Sequence, residues 1–344
     1  MRCPTLTDLP PPPEGKTGWP WTEECLRLPK IAPDGQEWPK ISIVTPSYQQ
    51  GQFIEETIRS VLLQGYPNIE YIVMDGGSRD ETLSILDKYN DYVQWISEAD
   101  DGQTDAINKG WKRATGSILA YLNSDDTYAR GAINQVIHFF IANPDVDMVY
   151  GDAIHIDQQS ETIVRCHSGP LDLKRYLCGD YYLPQPTVFF RSKITREIGY
   201  LDPELNLAMD LDYWLRILQE YRVEYLPLAL ANARLYPDAK SSSQKYKYLD
   251  ERLYILDKLF SRPGLPPEIR TLKSKCYSCV YLQGACDYLE IGKANKFWEC
   301  FKKSLRASQT NCLCQSSSKL MLSLRVNGFE GIIHAIRNSI SQAH

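Results

Sequence analysis

The feature that most constrains the fold of this chain is a regular alternation of apolar runs and helical periodicity between residues 41 and 122. Short apolar, β-branched runs that end in polar or turn residues predict strands at 41–45, 69–74, 93–97 and 118–122. Apolar residues at helical spacing predict helices between them, at 54–62, 82–89 and 104–114. This rhythm is typical of an α/β fold, in which right-handed crossovers connect the strands of a parallel sheet.

The pattern becomes less regular beyond residue 127. Strands are predicted at 147–150, 187–191 and 224–228, and helices at 210–220 and 244–260. Pro263, Gly264, Pro266 and Pro267 then interrupt the chain, and two further helices at 276–289 and 293–307 form a predicted hairpin that turns at Gly292. We therefore predict an irregular leader at 1–38, a main domain at 39–262 and a helical, basic region at 268–344.

Composition indicates a globular protein without membrane spans. The chain has 344 residues, of which 43% are apolar, so a sizeable core is expected. No apolar run approaches the length of a bilayer span, and no signal peptide is visible at the N-terminus, which favours a cytoplasmic location. Cys276 and Cys279 form a C-x-x-C pair, but Cys312 and Cys314 lack the spacing of a second zinc-binding pair, so buried reduced thiols are expected.

Charge is distributed unevenly along the chain. The net charge is −5, yet the segment from Arg270 to the end carries eleven Lys and Arg against four Asp and Glu. A basic helical tail can rest on the inner face of an anionic membrane as a peripheral contact, and a solvated face is the alternative. We expect no nucleic acid among the partners.

Polar loops follow four of the predicted strands. They are Thr45-Pro46-Ser47-Tyr48, Asp75-Gly76-Gly77-Ser78, the stretch from Asp100 to Asp105, and Asn123-Ser124-Asp125-Asp126. Each loop alone is compatible with an ordinary turn. Four such loops at the carboxyl ends of strands in one sheet indicate a shared binding cleft. Hard oxygen ligands at this place suit Mg²⁺ or Mn²⁺, especially an ion shared with the phosphates of a substrate.

With these residues in view, the chain resembles the family 2 glycosyltransferases, which have the GT-A fold. The matching segments begin at Ile41 (ISIVTPSY), Val73 (VMDGGSRD), Asp101 (DGQTDAINKG), Leu122 (LNSDD) and Ala208 (AMDLDYWLR). The resemblance covers roughly residues 40–245 and implies a Rossmann-like, nucleotide-sugar-binding sheet with flanking helices, to which the C-terminal helices are an appendage. It implies an inverting, metal-dependent transfer from a nucleotide-sugar donor, with a UDP-sugar expected, to a glycan or lipid-linked acceptor in polysaccharide or glycolipid synthesis.

The resemblance also implies roles for single positions. The implied donor-site residues are Thr45, Pro46 and Tyr48 in the nucleotide pocket, Asp75 at the base, Gly102, Gln103 and Asp105 near ribose and phosphates, and Asn123, Ser124 and Asp126 beside the metal. Asp125 is the implied ligand of a divalent cation, Mn²⁺ or Mg²⁺, that bridges the diphosphate of the donor.

The catalytic base of the family comes from an acidic pair that opens a helix. Here the resemblance implies Asp210 as the base, with Asp212 as the second choice. The alternative interpretation is helix capping, because an aspartate ahead of an apolar helix is a good N-cap.

Three positions depart from the family pattern. Gly76 stands where a second acid is usual, Asn123 stands at the first acid of Asp-x-Asp, and Arg234-Leu235-Tyr236 stands where some relatives have Arg-x-His. These departures leave open a non-catalytic relative that binds a sugar nucleotide or acts as a scaffold. A nucleotidyltransferase is a further alternative, although the segment after residues 41–45 lacks the Gly-rich basic loop expected for one.

Overall fold

The computed structural model describes residues 3–308, and the chain divides into two compact units. The first unit contains Met1–Leu171 and Leu183–Tyr236, and the second contains Asp172–Tyr182 and Pro237–His344. The predicted domain boundary at 263–267 therefore falls inside the second unit. Cys312, Cys314 and the last three basic residues of the tail (Lys319, Arg325 and Arg337) lie outside the described residues.

A nine-stranded sheet forms the centre of the first unit. Its strands are β1 Ile41–Ser47, β2 Ile69–Asp75, β3 Gln94–Ser97, β4 Ile118–Tyr121, β5 Thr127–Tyr128, β6 Met148–Ile156, β7 Thr162–Cys166, β8 Phe189–Arg191 and β9 Val223–Arg234. Their order is β3-β2-β1-β4-β8-β6-β9-β5, with β7 paired to β6. Strands β1 to β4 pair in parallel, as predicted, whereas β8 and β5 each run antiparallel to their neighbours. The sheet is therefore mixed, and its parallel half carries the predicted loops at one edge.

Helices flank the sheet and also build the second unit. In chain order they are α1 Ile54–Leu62, α2 Thr82–Lys88, α3 Gln103–Arg113, α4 Ala132–Ala142, α5 Leu173–Cys178, α6 Lys193–Glu197, α7 Met209–Ile217, α8 Lys240–Ser243, α9 Tyr248–Phe260, α10 Pro267–Arg270, α11 Lys273–Glu290 and α12 Ala294–Ala307. Short 3₁₀ turns lie at Gln185–Thr187 and Lys245–Lys247. Helix α5 and helices α8 to α12 belong to the second unit. The predicted α/β fold with additional C-terminal helices is confirmed.

The alternation of side chains along β1 explains why helices lie on both faces of the sheet. Ile41 and Ile43 join the large apolar cluster that α1 and α4 cover. Val44 points to the opposite face, where α3 packs on the strand. A Cβ at Gly110 of α3 would lie only 2.4 Å from Val44 Cγ1, so glycine is required for this close approach.

A buried polar network ties the amino-terminal ends of the parallel strands together. Glu70 of β2 accepts hydrogen bonds from Ser42 Oγ at 2.5 Å, from the Thr115 backbone N–H at 2.7 Å and from Lys40 Nζ at 2.9 Å. Burial alone would raise the pKa of Glu70, but these hydrogen bonds outweigh it and hold the pKa at about 2. The network therefore stabilises the fold only while Glu70 is ionised.

The leader is irregular and packs against the rest of the first unit. Arg59 of α1 is fully buried and donates hydrogen bonds to the carbonyl oxygens of Pro10, Pro20 and Trp21, at 2.9 to 3.2 Å. Its guanidinium also lies over the Trp21 ring and contacts the Tyr89 hydroxyl. The leader thus supplies most of the hydrogen-bond acceptors of a buried cation.

The second unit is a helical assembly. Helix α11 packs against α9 and α12, and the predicted hairpin turns at Gly292, whose φ of +72° suits glycine. Cys276 and Cys279 are buried and form no disulfide, as expected, and residues 3–308 contain no group of three or more His, Cys, Asp or Glu side chains that could hold a metal ion. None of the helices that the structure describes is long and apolar enough to cross a membrane.

Candidate active site

The loop after β4 carries the acidic pair and is fixed from two sides. Thr57 Oγ1 donates to the backbone oxygens of Ser124 and Asp126, at 2.9 and 2.7 Å. Asn123 Oδ1 accepts a hydrogen bond of 2.7 Å from Gln103 Nε2 at the start of α3. Two loops that the sequence predicted to converge are therefore in direct contact.

Asp125 and Asp126 form an adjacent acidic pair, in which Asp125 is half-buried and Asp126 is buried. Burial raises the pKa of Asp125, and burial together with the charge of Asp125 raises the pKa of Asp126 to about 8. Asp126 Oδ1 accepts from the Arg234 backbone N–H at 2.8 Å, and Asp125 Oδ2 accepts from the Tyr236 hydroxyl at 2.9 Å. Two adjacent carboxylates in such surroundings favour the arrival of a cation.

Arg234 does not supply that cation to the carboxylate oxygens, because its donors are engaged elsewhere. Its buried guanidinium forms an ion pair of 3.0 Å with Glu56 and donates to the carbonyl oxygens of Asp125 and Asp157, both at 2.8 Å. It also lies over the Phe53 ring, 4.6 Å from the centroid. Arg234 therefore supports the backbone beneath the acidic pair.

Tyr236 occupies the position where some relatives have a histidine. Besides its hydrogen bond to Asp125, its hydroxyl receives a hydrogen bond from Gln50, and its ring packs on Phe53 at 5.1 Å between centroids. The Gln50 Oε1 atom is buried and has no hydrogen-bond partner within the described residues. Sequence reasoning missed Gln50, Phe53 and Glu56, which carry no motif of their own.

The donor set suits a hard divalent cation that enters together with a diphosphate. Asp125 offers a carboxylate and Asn123 an amide oxygen, which is the oxygen chemistry that Mg²⁺ and Mn²⁺ prefer. Residues 3–308 contain no cluster of three acidic, histidine or cysteine side chains that could hold an ion by itself. An ion at this place would complete its coordination with phosphate oxygens and water.

Asp75 accepts four hydrogen bonds from its own loop and from β3. Its Oδ2 accepts from the backbone N–H groups of Gly77 and Ser78, at 3.1 and 2.9 Å, and from Ser97 Oγ at 2.6 Å. Its Oδ1 accepts from Ser78 Oγ at 2.5 Å. A base contact by Asp75, as the resemblance implies, has only the remaining lone pair of Oδ1 available.

The other predicted nucleotide-site residues divide into buried and exposed positions. Thr45 and Pro46 are buried, and Thr45 Oγ1 hydrogen-bonds the Tyr71 hydroxyl at 3.1 Å, whereas Tyr48 is exposed. Gly102 opens α3 with a φ of +103°. Asp105 forms an ion pair with Lys109, one turn along the helix, at 2.9 Å. The exposed Tyr48 ring is therefore the side chain of this group most available to a ligand.

The two candidate bases on α7 have different surroundings. Asp212 is buried and forms an ion pair of 2.9 Å with Arg216, whose other donors bind the carbonyl oxygens of Ile198 and Tyr200. Asp210 is half-buried, and Ala208 rather than Asp210 is the N-cap residue of the helix. This geometry favours Asp210 as the group that can reach a substrate, with Asp212 anchoring the helix.

The segment before helix α7 is tied to helix α3. Thr104 Oγ1 of α3 donates to the Leu205 carbonyl at 2.5 Å, and the Asn108 side chain pairs with both backbone groups of Leu201. The segment that leads into α7 is therefore fixed to the helix that begins with Gln103.

Comparisons with known proteins agree on one family. A family model described as "Glycosyl transferase family 2" matches residues 42–198. An uncharacterized glycosyltransferase of Rickettsia typhi is 29% identical over 221 residues, 62% of this chain and 69% of its own length. The putative teichuronic acid biosynthesis glycosyltransferase TuaG of Bacillus subtilis is 36% identical over 107 residues, 30% of this chain and 42% of its own length.

Solved structures show the same fold. TarS 1–349 of S. aureus in complex with UDP-GlcNAc matches with a TM-score of 0.60 at 17% identity, covering 89% of this chain and 92% of its own. A mannosyltransferase from Pyrobaculum calidifontis in complex with GDP-Man and Mn²⁺ matches with a TM-score of 0.57 at 17% identity, covering 90% and 86%. At this level of identity the likeness concerns the fold alone.

Proposed function

We propose that this chain, which belongs to glycosyl transferase family 2 and has the GT-A fold, transfers a sugar from a UDP-sugar to a hydroxyl of a glycan or lipid-linked acceptor. Inversion of the anomeric centre is typical of the family. TarS has been solved with UDP and UDP-GlcNAc, which supports a uridine donor, and the name of TuaG supports a role in surface-polymer synthesis. Family membership favours this function over the nucleotidyltransferase and non-catalytic alternatives. Peripheral membrane contact through the basic tail stays a prediction.

The observation that carries the proposal is the acidic turn at the carboxyl end of β4. The half-buried Asp125 and the buried Asp126 lie there beside Asn123. Gln103 contacts Asn123, and the candidate base is on a helix fixed to α3. Ligands of open α/β sheets bind at this edge. Hard oxygen ligands beside the start of a helix suit a nucleoside diphosphate, which supports the proposal.

In the proposed reaction Asp210 accepts the proton of the acceptor hydroxyl as that oxygen attacks the anomeric carbon. General-base assistance of this kind contributes ~10²–10⁴-fold to rates. Asp125 and Asn123 would hold a divalent cation, which when bound supplies Lewis-acid stabilisation of the departing nucleoside diphosphate. The ion pair of Asp212 with Arg216 holds α7 in place while Asp210 accepts the proton.

The test is release of UDP from UDP-sugars with Mn²⁺ and candidate acceptors. Asp125→Asn is expected to lose metal-dependent release, and Asp210→Asn is expected to lose transfer while it still binds UDP with Mn²⁺. Asp91→Asn, an exposed acid in the turn after α2, serves as the control for loss of one charge. Unchanged release in Asp125→Asn would refute the metal assignment, and unchanged transfer in Asp210→Asn would refute the base.

A further inference from the structure

Gly76 lies where a neighbouring carboxylate fills the space that any side chain would need. A Cβ at this position would lie 2.9 Å from Asp100 Oδ2 and 3.2 Å from Asp100 Cγ. Gly76 is not among the glycines with positive φ, so its backbone conformation does not require glycine. A side chain at residue 76 and the carboxylate of Asp100 therefore exclude each other.

The Asp100 carboxylate is held in this place by the start of α3. Its Oδ1 accepts a hydrogen bond of 2.9 Å from the Gly102 backbone N–H, while its Oδ2 is the oxygen nearest to Gly76. Gly76 in turn donates its backbone N–H to the Ser47 carbonyl at 2.8 Å. The carboxylate thus stands at the carboxyl edge of the sheet, where the segments after β1, β2 and β3 meet.

The surroundings of Asp100 favour an incoming hydrogen-bond donor. Burial, with further contributions from the negative charges of Asp105 and Asp75, raises the pKa of Asp100, although the Gly102 N–H opposes this. Ser47 Oγ, at the end of β1, is buried without a hydrogen-bond partner in the part of the chain that the structure describes. Asp75 differs, because four donors of its own loop and of β3 already occupy it.

We propose that Asp100 reads the nucleobase of the donor, its carboxylate accepting the imide N3–H of uracil in the space beside Gly76. The inference rests on the proposed function, which supplies the uridine nucleotide. A carboxylate only accepts hydrogen bonds, so it pairs with the N3–H of uracil and faces the N3 lone pair of cytosine. A hydrogen bond to a charged group is worth about 1.5–3 kcal/mol, which corresponds to about 10- to 100-fold in affinity.

The first experiment compares the affinities of UDP, CDP and GDP by titration calorimetry with Mn²⁺ on the full chain. Wild type is expected to prefer UDP, and Asp100→Asn is expected to lower the ratio of UDP to CDP affinity about 10- to 100-fold. Glu98→Gln removes one exposed charge from the same segment and should leave the ratio unchanged. A merely structural role of Asp100 would weaken both nucleotides together and overturn the inference.

A second variant pair moves the acid from one loop to the other. Asp100→Gly is expected to lose the preference for UDP, and the double variant Gly76→Asp/Asp100→Gly is expected to restore it, because the new side chain enters the vacated space. If the wild type binds UDP and none of these variants changes the preference for UDP over CDP, the role of Asp100 is refuted and the proposed function is unaffected. A wild type that binds no uridine nucleotide refutes the proposed function itself.

Discussion

Replacing Glu56 by glutamine tests how strongly the buried ion pair with Arg234 supports the acidic turn. The side chain of Arg234 is 0% exposed and that of Glu56 is 9% exposed, so the variant leaves a guanidinium without its counter-charge in the interior. Breaking such a pair costs about 3–5 kcal/mol. The carbonyl oxygens of Asp125 and Asp157 still accept from Arg234, and glutamine keeps an oxygen for Ser160. We therefore expect the lower end, about 3 kcal/mol of unfolding free energy.

The assay is urea unfolding followed by tryptophan fluorescence, with Glu23→Gln as the matched control. The ion pair of Glu23 with Arg130 has a similar N–O distance of 2.9 Å, but its side chains are 46% and 55% exposed. Its loss is expected to cost less than about 1 kcal/mol. Affinity for UDP with Mn²⁺ should also fall in Glu56→Gln, because Arg234 holds the Asp125 backbone. If the two variants cost the same free energy, the reasoning from burial is wrong.

Three further outcomes follow from contacts described above. The pKa of Glu70 is about 2 in the folded protein against 4.5 unfolded, so its contribution to the unfolding free energy is present above pH 4.5 and is lost as the pH falls towards 2. The difference in unfolding free energy between wild type and Glu70→Gln should therefore narrow over that window in acid unfolding curves. A constant difference would contradict this. Gly110→Ala should cost about 1–3 kcal/mol by overpacking, and adding Val44→Ala should recover part of the loss in the same unfolding assay. Tyr236→Phe should weaken Mn²⁺ affinity about 10-fold in the presence of UDP, because Asp125 loses the hydroxyl that orients its carboxylate. Electron paramagnetic resonance of bound Mn²⁺ measures this affinity. Unchanged affinity would show that the hydroxyl does not orient the carboxylate.

The first half of the fold was predictable because each element carries a local signal. The predicted strand at 69–74 is one residue shorter than β2, and the predicted helix at 104–114 is shifted by one residue from α3. Strand β9 was predicted only at 224–228 but extends over Val223–Arg234. Pro227 disfavours a continuous strand locally, and the pairing with β6 shifts register in that part of the strand. The long strand depends on a partner about 75 residues earlier in the chain, which no local pattern reveals.

The site was predictable as a set of loops but not as a set of contacts. Strand ends placed Gln103 near Asn123, and the structure shows them hydrogen-bonded. The ion pair of Glu56 with Arg234 joins residues 178 positions apart, and nothing in the motif around Arg234 indicates Glu56 as its partner. The proximity of Asp100 to Gly76 likewise depends on how two loops approach each other. Spacing along a chain predicts which edge a residue occupies, whereas tertiary packing decides what it contacts.

The burial of Arg59 beneath the leader affects where the N-terminus of a truncated form of this protein can be placed. The family match begins at residue 42, so a homology-guided truncation would remove residues 1–41 as dispensable. Such a truncation would uncover the Arg59 guanidinium and strip it of three backbone acceptors, together with the Trp21 ring above it. The segment that matches the family model and the unit that folds therefore begin at different residues.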